Sequence, residues 1–261
     1  MVIVEKIMAG GVPSLHVVKE ELKNEQTPFV LFVHGFTSAK EHNLHYAYLL
    51  AEKGARVVLP EALYHGERSE SMPPMELNVR FWDIVMNTIH ELKAIKDFFA
   101  DEGLIDESRI GVSGTSMGGI VTLGALTQYK WITAGVSLMG SPYYVHFLRK
   151  QVEYLRDAGH VLPISDEDLE AKMQSLEHFD LSLHKESLNE RPLLFWHGEK
   201  DQVVPFKPTW AFYEDIRSAY EAKPENIQFI RDPNADHKVS REGLFGLVNW
   251  FDTHLYLSTR V

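Results

Sequence analysis

The pentapeptide Gly114-Thr115-Ser116-Met117-Gly118 sets Ser116 between two glycines, where the apolar run Arg109 to Ser113 gives way to the helical pattern Met117 to Gln128. A chain that reverses there within about two residues holds its turning residue in a strained backbone region and leaves that side chain exposed at the end of the strand. The glycines give the room this needs. The helix that follows offers N–H groups and a dipole that favour negative charge on a substrate oxygen, so the Met117 N–H is a candidate oxyanion donor. The chemistry is nucleophilic attack on a carbonyl. The competing reading is a glycine-rich connection whose serine merely caps the helix. Ser113 lies in the frame Gly111, Ser113, Thr115, lacks the second glycine and is set aside.

A serine hydroxyl is a weak nucleophile near neutral pH and needs a base, and the base needs a group to orient it. Thirteen histidines compete for the first role, while the absence of cysteine removes thiolate catalysis, disulfides and cysteine-bound metals together. In a parallel sheet the useful side chains stand on loops beyond the carboxyl ends of strands. His237, in IRDPNADHKVSREG, follows the last strand pattern and precedes the final helix. Asp201, in LLFWHGEKDQVVP, follows the strand before that. The order Ser116, Asp201, His237 therefore forms a candidate triad. Glu199 is the alternative acid. Asp232 and Asp236 share the loop of His237 and are poorly aimed at its far nitrogen, and His197 is expected to be structural.

A second oxyanion donor is expected from the loop after an earlier strand. FVLFVHGFTSAKEH supplies the Phe36 N–H as first choice and Thr37 as second, with His34 as a hydrogen-bonded structural residue. The loop PEALYHGERSESMPPMELN should border the site, so Tyr64 and His65 are candidate substrate contacts, as are Thr37 and the pair Tyr143 and Tyr144 after MGSP. Arg68 of the same loop is a third candidate contact, and for it, as for Tyr64 and His65, the alternative and favoured reading is that it holds the loop. His42 and His45 stand three apart, whereas a helical zinc protease site needs histidines four apart with an adjacent glutamate, so no metal is expected. No cofactor is expected either.

These side chains must be placed by strands, and short β-branched runs recur at Val2 to Ile7, Leu15 to Val18, Phe29 to Val33, Arg56 to Leu59, Arg109 to Ser113, Ala134 to Leu138, Leu193 to Trp196 and Ile227 to Ile230. Helical patterns alternate with them at Asn43 to Lys53, Val79 to Ala100, Met117 to Gln128, Pro208 to Ala222 and Arg241 to Tyr256. The alternation predicts an α/β fold with a doubly wound, mostly parallel sheet of about eight strands, the first two pairing antiparallel at one edge. Residues 141–189 are too long for one crossover and read as a helical cap insertion of two or three short helices, with Asp166 or Ser165 as an N-cap. With no repeat or linker, residues 1–261 are expected to form a single domain.

The composition, 44% hydrophobic and 24% charged, suits a globular chain with a sizeable core, and the net charge of -11 argues against nucleic acid or an anionic membrane as partner. No run approaches a membrane span and the beginning of the chain has no signal-peptide pattern, so a cytoplasmic, soluble protein is expected.

In order, the motifs HGF, GTSMGG, HGEKDQVVP and DH resemble the α/β-hydrolase superfamily. More narrowly, LFVHGFTSAKEHNLHYAYLLAEKGARVVLPEALYHGERS with GTSMGG resembles small bacterial serine esterases related to prolyl oligopeptidase catalytic domains and dienelactone hydrolases. The resemblance runs from about Phe29 to the final helix and leaves the insertion unmatched. It implies Ser116 as nucleophile, His237 as base, Asp201 as acid and the N–H groups of Phe36 and Met117 as the oxyanion hole. The chain departs from the pattern at Glu61, where many relatives carry Asp, and at the nucleophile, which is Cys in dienelactone hydrolases. The expectation is a carboxylesterase acting on small-molecule esters through an acyl-enzyme. The alternatives are an amide or small-peptide hydrolase with the same triad and a non-catalytic binding protein.

Overall fold

The computed structural model describes residues 1–159 and 164–257. Its strands are β1 (Val2–Ala9), β2 (Val12–Lys19), β3 (Thr27–Val33), β4 (Arg56–Pro60), β5 (Ile105–Thr115), β6 (Ala134–Leu138), β7 (Leu193–Gly198) and β8 (Ile227–Asp232). They form one sheet in the order β1-β2-β4-β3-β5-β6-β7-β8. β2 is antiparallel to both of its neighbours, and from β4 to β8 every pairing is parallel. The expected doubly wound sheet, with its antiparallel pair at one edge, is present. β5 begins at Ile105 rather than Arg109, because the polar stretch Asp106-Glu107-Ser108 hides its first residues from an apolar pattern.

The helices are α1 (Leu44–Glu52), α2 (Pro74–Val79), α3 (Phe81–Asp101), α4 (Met117–Gln128), α5 (Tyr144–Asp157), α6 (Asp166–Glu177), α7 (Phe206–Ile216) and α8 (Arg241–His254). The pattern expected from Val79 to Ala100 is interrupted at Arg80. Its N–H closes α2 on Glu76 and Leu77, while its carbonyl accepts the Ile84 N–H that opens α3. The helix expected from Pro208 to Ala222 starts earlier, since prolines fit a first turn, and tightens into a 3₁₀ turn at Arg217–Tyr220. Between β6 and β7 lie α5 and α6, and Ser165 caps α6 by accepting the Asp168 N–H at 3.0 Å.

Alternation along the strands divides the core. Val30 and Phe32 of β3, with Val57 and Leu59 of β4, pack with α1 and α8 on one face. Phe29, Leu31 and Val33 pack with α3, α4 and α7 on the other. All seven residues of β3 are buried, so the loop leaving its carboxyl end starts from a fixed point.

That point is anchored from below by Arg56, which is 0% exposed. Its guanidinium donates to the carbonyls of Leu104, Leu22, Lys23 and Glu25 and, at 2.7 Å, to His16 Nε2. An imidazole that accepts from a guanidinium must be neutral. Burial first, and the Arg56 charge second, depress the His16 pKa from 6.5 to about 4. Between those values the unfolded chain binds a proton that the folded chain refuses, so stability is present above about pH 6.5 and is lost as the pH falls toward 4. The loss should reach about 3 kcal/mol, at 1.36 kcal/mol per pKa unit. Urea unfolding at a series of pH values measures it. His16→Gln keeps an acceptor for Arg56 without titrating and should flatten the slope in this window; an unchanged slope in that variant assigns the effect elsewhere.

Candidate active site

β5 ends at Thr115 and α4 begins at Met117, so Ser116 makes the whole turn, with φ 54° and ψ -112°. A non-glycine residue there costs on the order of 1–3 kcal/mol, which the surrounding packing must impose. The Ser116 N–H is held by the Leu138 carbonyl at 2.9 Å. A Cβ on Gly118 would lie 2.0 Å from the Val33 carbonyl oxygen and one on Gly114 2.4 Å from the same atom, so both flanking positions must be glycine for α4 to seat against β3. Ser113, the serine set aside, is buried and donates to the Val136 carbonyl.

The Ser116 hydroxyl donates to His237 Nε2 at 2.8 Å, and His237 Nδ1–H donates to Asp201 Oδ2 at 2.7 Å. Two loops make that alignment possible. Gly198 lets the chain after β7 press against the loop after β8, where a Cβ would come within 2.5 Å of the carbonyls of Ala235 and Asp236. Asp232 Oδ1 gathers the N–H groups of Asn234 and Ala235, shaping the loop that presents His237. Asp201 Oδ1 accepts the N–H groups of Val203 and Val204, each at 2.9 Å, which leaves Oδ2 for the imidazole. Burial raises the Asp201 pKa, but hydrogen bonds from His197, His237 and the Val204 N–H outweigh it and hold the carboxyl well below the usual range. It is therefore ionised at neutral pH. Glu199, the alternative acid, is engaged with Arg231 instead.

The loop after β3 passes close over Ser116, since a Cβ on Gly35 would lie 3.6 Å from Ser116 Cβ. Neither the Phe36 N–H nor the Met117 N–H has a hydrogen-bond partner among the described residues. The Thr37 N–H is taken, donating to His65 Nε2 at 2.9 Å, so the second-choice donor is occupied. Ser116 and Phe36 help line a cavity of about 590 Å³ whose walls include Phe81 and Trp82 of α3, Phe147, Leu148 and Val152 of α5 and Leu169 of α6. No Asp or Glu is among the described residues that line it. Lys150 and Lys172, at its wall, are paired with Glu153 and Asp83.

The sequence pattern of the Prolyl oligopeptidase family, Peptidase_S9, matches residues 83–256. The chain belongs to the prolyl oligopeptidase family. Among its relatives in sequence, two carry esterase names and one is named a peptidase. "Putative esterase YitV" of Bacillus subtilis (strain 168) is 56% identical, covering 98% of this chain and 100% of that protein. "Esterase YjfP" of Escherichia coli (strain K12) is 28% identical with the same coverage. The crystal structure of TT1662 from Thermus thermophilus superposes with a TM-score of 0.75 at 20% identity, covering 98% of both chains. The fold is that of the α/β-hydrolase superfamily, and the prolyl oligopeptidase family member described here is a hydrolase.

Several of the candidate substrate contacts lie away from the cavity wall. Tyr144 is 0% exposed, stands outside the cavity wall, and its hydroxyl donates to the Ile120 carbonyl at 2.5 Å. It pins α5 onto α4 and is a core residue. Tyr143 is half-buried, packs edge-on against Phe212 and does not line the cavity. Tyr64, at φ 62°, sits beneath the Arg80 guanidinium at 5.2 Å, again away from the cavity wall. His65 is buried behind the loop of Phe36, and Arg68 clamps Glu91 and the Glu61 carbonyl. His34 is fully buried, its Nδ1–H donating to the Gly35 carbonyl and its Nε2 accepting the Ala62 N–H. The same Nε2 lies 3.3 Å from Glu61 Oε1. Glu61, the departure from the family pattern, is buried and pairs with buried Lys40 at 2.5 Å.

Sequence reasoning missed the cavity walls. The stripe FWDIVMNTIHELKAIKDFF reads as core at helical spacing, and most of it is, but Phe81 and Trp82 face the cavity from its first turn. The available signal was the amphipathic stripe of α5, whose Phe147, Leu148 and Val152 have no sheet strand to cover. His197 is also closer to the chemistry than its structural label suggests. Its Nε2–H donates to the Val204 carbonyl at 2.8 Å and lies 3.3 Å from Asp201 Oδ2.

Proposed function

We propose that this hydrolase cleaves neutral carboxylic esters with an apolar acyl group through an acyl-enzyme on Ser116. The observation that carries the reading is the hydrogen-bonded line Asp201, His237, Ser116 ending at the wall of an apolar cavity. Ser116 Oγ attacks the carbonyl carbon while His237 Nε2 takes its proton, and the oxygen that gains the electron pair is met by the N–H groups of Phe36 and Met117. The C–O bond to the alcohol then breaks and His237 returns the proton to the leaving oxygen. Water, deprotonated by the same imidazole, repeats the sequence and frees the acid. Asp201 keeps the imidazole in the Nδ1–H tautomer and stabilises its cation.

Amide bonds call on the same groups, and membership of a family named for a peptidase keeps blocked amides within range. A peptide with a free amino terminus is disfavoured, because its ammonium would meet walls with no carboxylate among the described residues. A series of p-nitrophenyl esters from acetate through decanoate tests the reading. kcat/KM should climb by about fourfold per methylene, from about 0.8 kcal/mol for each one buried, and then drop once the chain outgrows the cavity. Val152→Trp, which fills the cavity, should move the optimum to a shorter chain. A flat profile, or faster turnover of aminoacyl amides than of any ester in a side-by-side panel, removes the proposal.

A further inference from the structure

The loop that carries Phe36 has two successive N–H groups able to face a substrate oxygen, and the structure leaves only one of them unengaged. His65 lies behind that loop, 4% exposed, with its ring edge-on to Phe36 at 5.4 Å and 5.1 Å from the His34 ring. Its Nδ1–H donates to the Leu63 carbonyl at 2.8 Å, which fixes the tautomer and turns the Nε2 lone pair toward the loop. That lone pair accepts the Thr37 N–H at 2.9 Å, and Thr37 is held at φ 59°, a left-handed conformation that a β-branched residue adopts only under constraint. The neighbouring Phe36 N–H has no partner among the described residues.

From these contacts we infer that His65 is a positioning residue of the oxyanion hole: by capturing the Thr37 N–H it turns the peptide plane before it so that the Phe36 N–H, and not its neighbour, meets the oxyanion. The inference rests on the hydrolase reading of Ser116. Burial also depresses the His65 pKa, which keeps the accepting lone pair available near neutral pH. The role needs an acceptor at Nε2 above all, and the donor at Nδ1 only to aim it.

Three substitutions separate those demands. His65→Gln places an amide oxygen near the Nε2 position, His65→Asn keeps only a group near Nδ1, and His65→Leu keeps neither. With the best p-nitrophenyl ester, His65→Leu and His65→Asn should lose on the order of 10² in kcat, as for removal of one oxyanion donor, with KM changed by less than about threefold. His65→Gln should recover most of the loss. Binding of an alkyl trifluoromethyl ketone, to which Ser116 Oγ adds to give a tetrahedral oxyanion while its proton passes to His237, should weaken by the same factor as kcat falls. The matching methyl ketone, read by competitive inhibition, should bind all variants alike. Thermal melts identify a variant that has lost its fold, and a similar loss in Gln, Asn and Leu, or equal weakening of both ketones, overturns the inference. So does full activity in His65→Leu. If the wild-type protein neither turns over esters nor captures the trifluoromethyl ketone, the hydrolase reading itself fails.

Discussion

Ser116→Ala is expected to lower kcat for the best ester by about 10⁴–10⁶ while leaving the melting temperature within a few degrees, because the nucleophile acts as a unit with its base. The side chain removed has one hydrogen bond, to His237, and its backbone is held by the Leu138 carbonyl and the two flanking glycines rather than by its hydroxyl. The variant should also lose labelling by a fluorophosphonate, which a non-catalytic binding protein of the same fold would never have shown. Turnover that persists after contaminating esterases are excluded, or a labelled peptide containing another serine, would falsify the assignment. Ser113 is the nearest rival in sequence, but its hydroxyl is buried and committed to Val136.

Asp201→Asn should cost about 10⁴ in kcat with the fold intact, the scale known for the equivalent change in a serine protease triad. The argument turns on which atom faces the imidazole. Oδ1 accepts two backbone N–H groups, from Val203 and Val204, so the amide oxygen of asparagine must stay there and its nitrogen must take the place of Oδ2. That NH₂ meets His237 Nδ1 and forces the opposite tautomer, with the proton on Nε2 facing Ser116. A serine hydroxyl cannot give its proton to a nitrogen that already carries one. The same NH₂ meets the Nε2–H of His197, 3.3 Å from the present oxygen, which adds a donor facing a donor. Steady-state kinetics with a circular dichroism melt decide the matter; a loss of less than tenfold would show that Asp201 does not set the tautomer.

Much of this arrangement was legible from residue order. The strand ends, the glycines around Ser116 and the loops of Asp201 and His237 follow from periodicity and turn chemistry, because a parallel sheet leaves few places where three such side chains can meet. The supporting contacts were not legible, and for a physical reason. His65, Thr37 and Tyr144 earn their positions through partners 24–28 residues away, at angles that no local pattern encodes. Tyr144 looked like a pocket residue since an aromatic side chain beside a cap hinge suits either use, and only the Ile120 carbonyl decides between them. The cavity was hidden because its walls come from several elements, among them the first turn of α3, one face of α5 and Leu169 of α6, each reading as ordinary core alone.

The helices α5 and α6 enter the chain between β6 and β7, while Ser116, Asp201 and His237 stand after β5, β7 and β8. On the proposed function, a mutation in α5 or α6 is expected to change what the cavity admits without moving Ser116, Asp201 or His237. Over evolutionary time the segment between β6 and β7 should accept changes that the turn at Ser116, closed in by Gly114 and Gly118 against Val33, does not. Two rates of divergence should therefore coexist in one gene, the faster between β6 and β7.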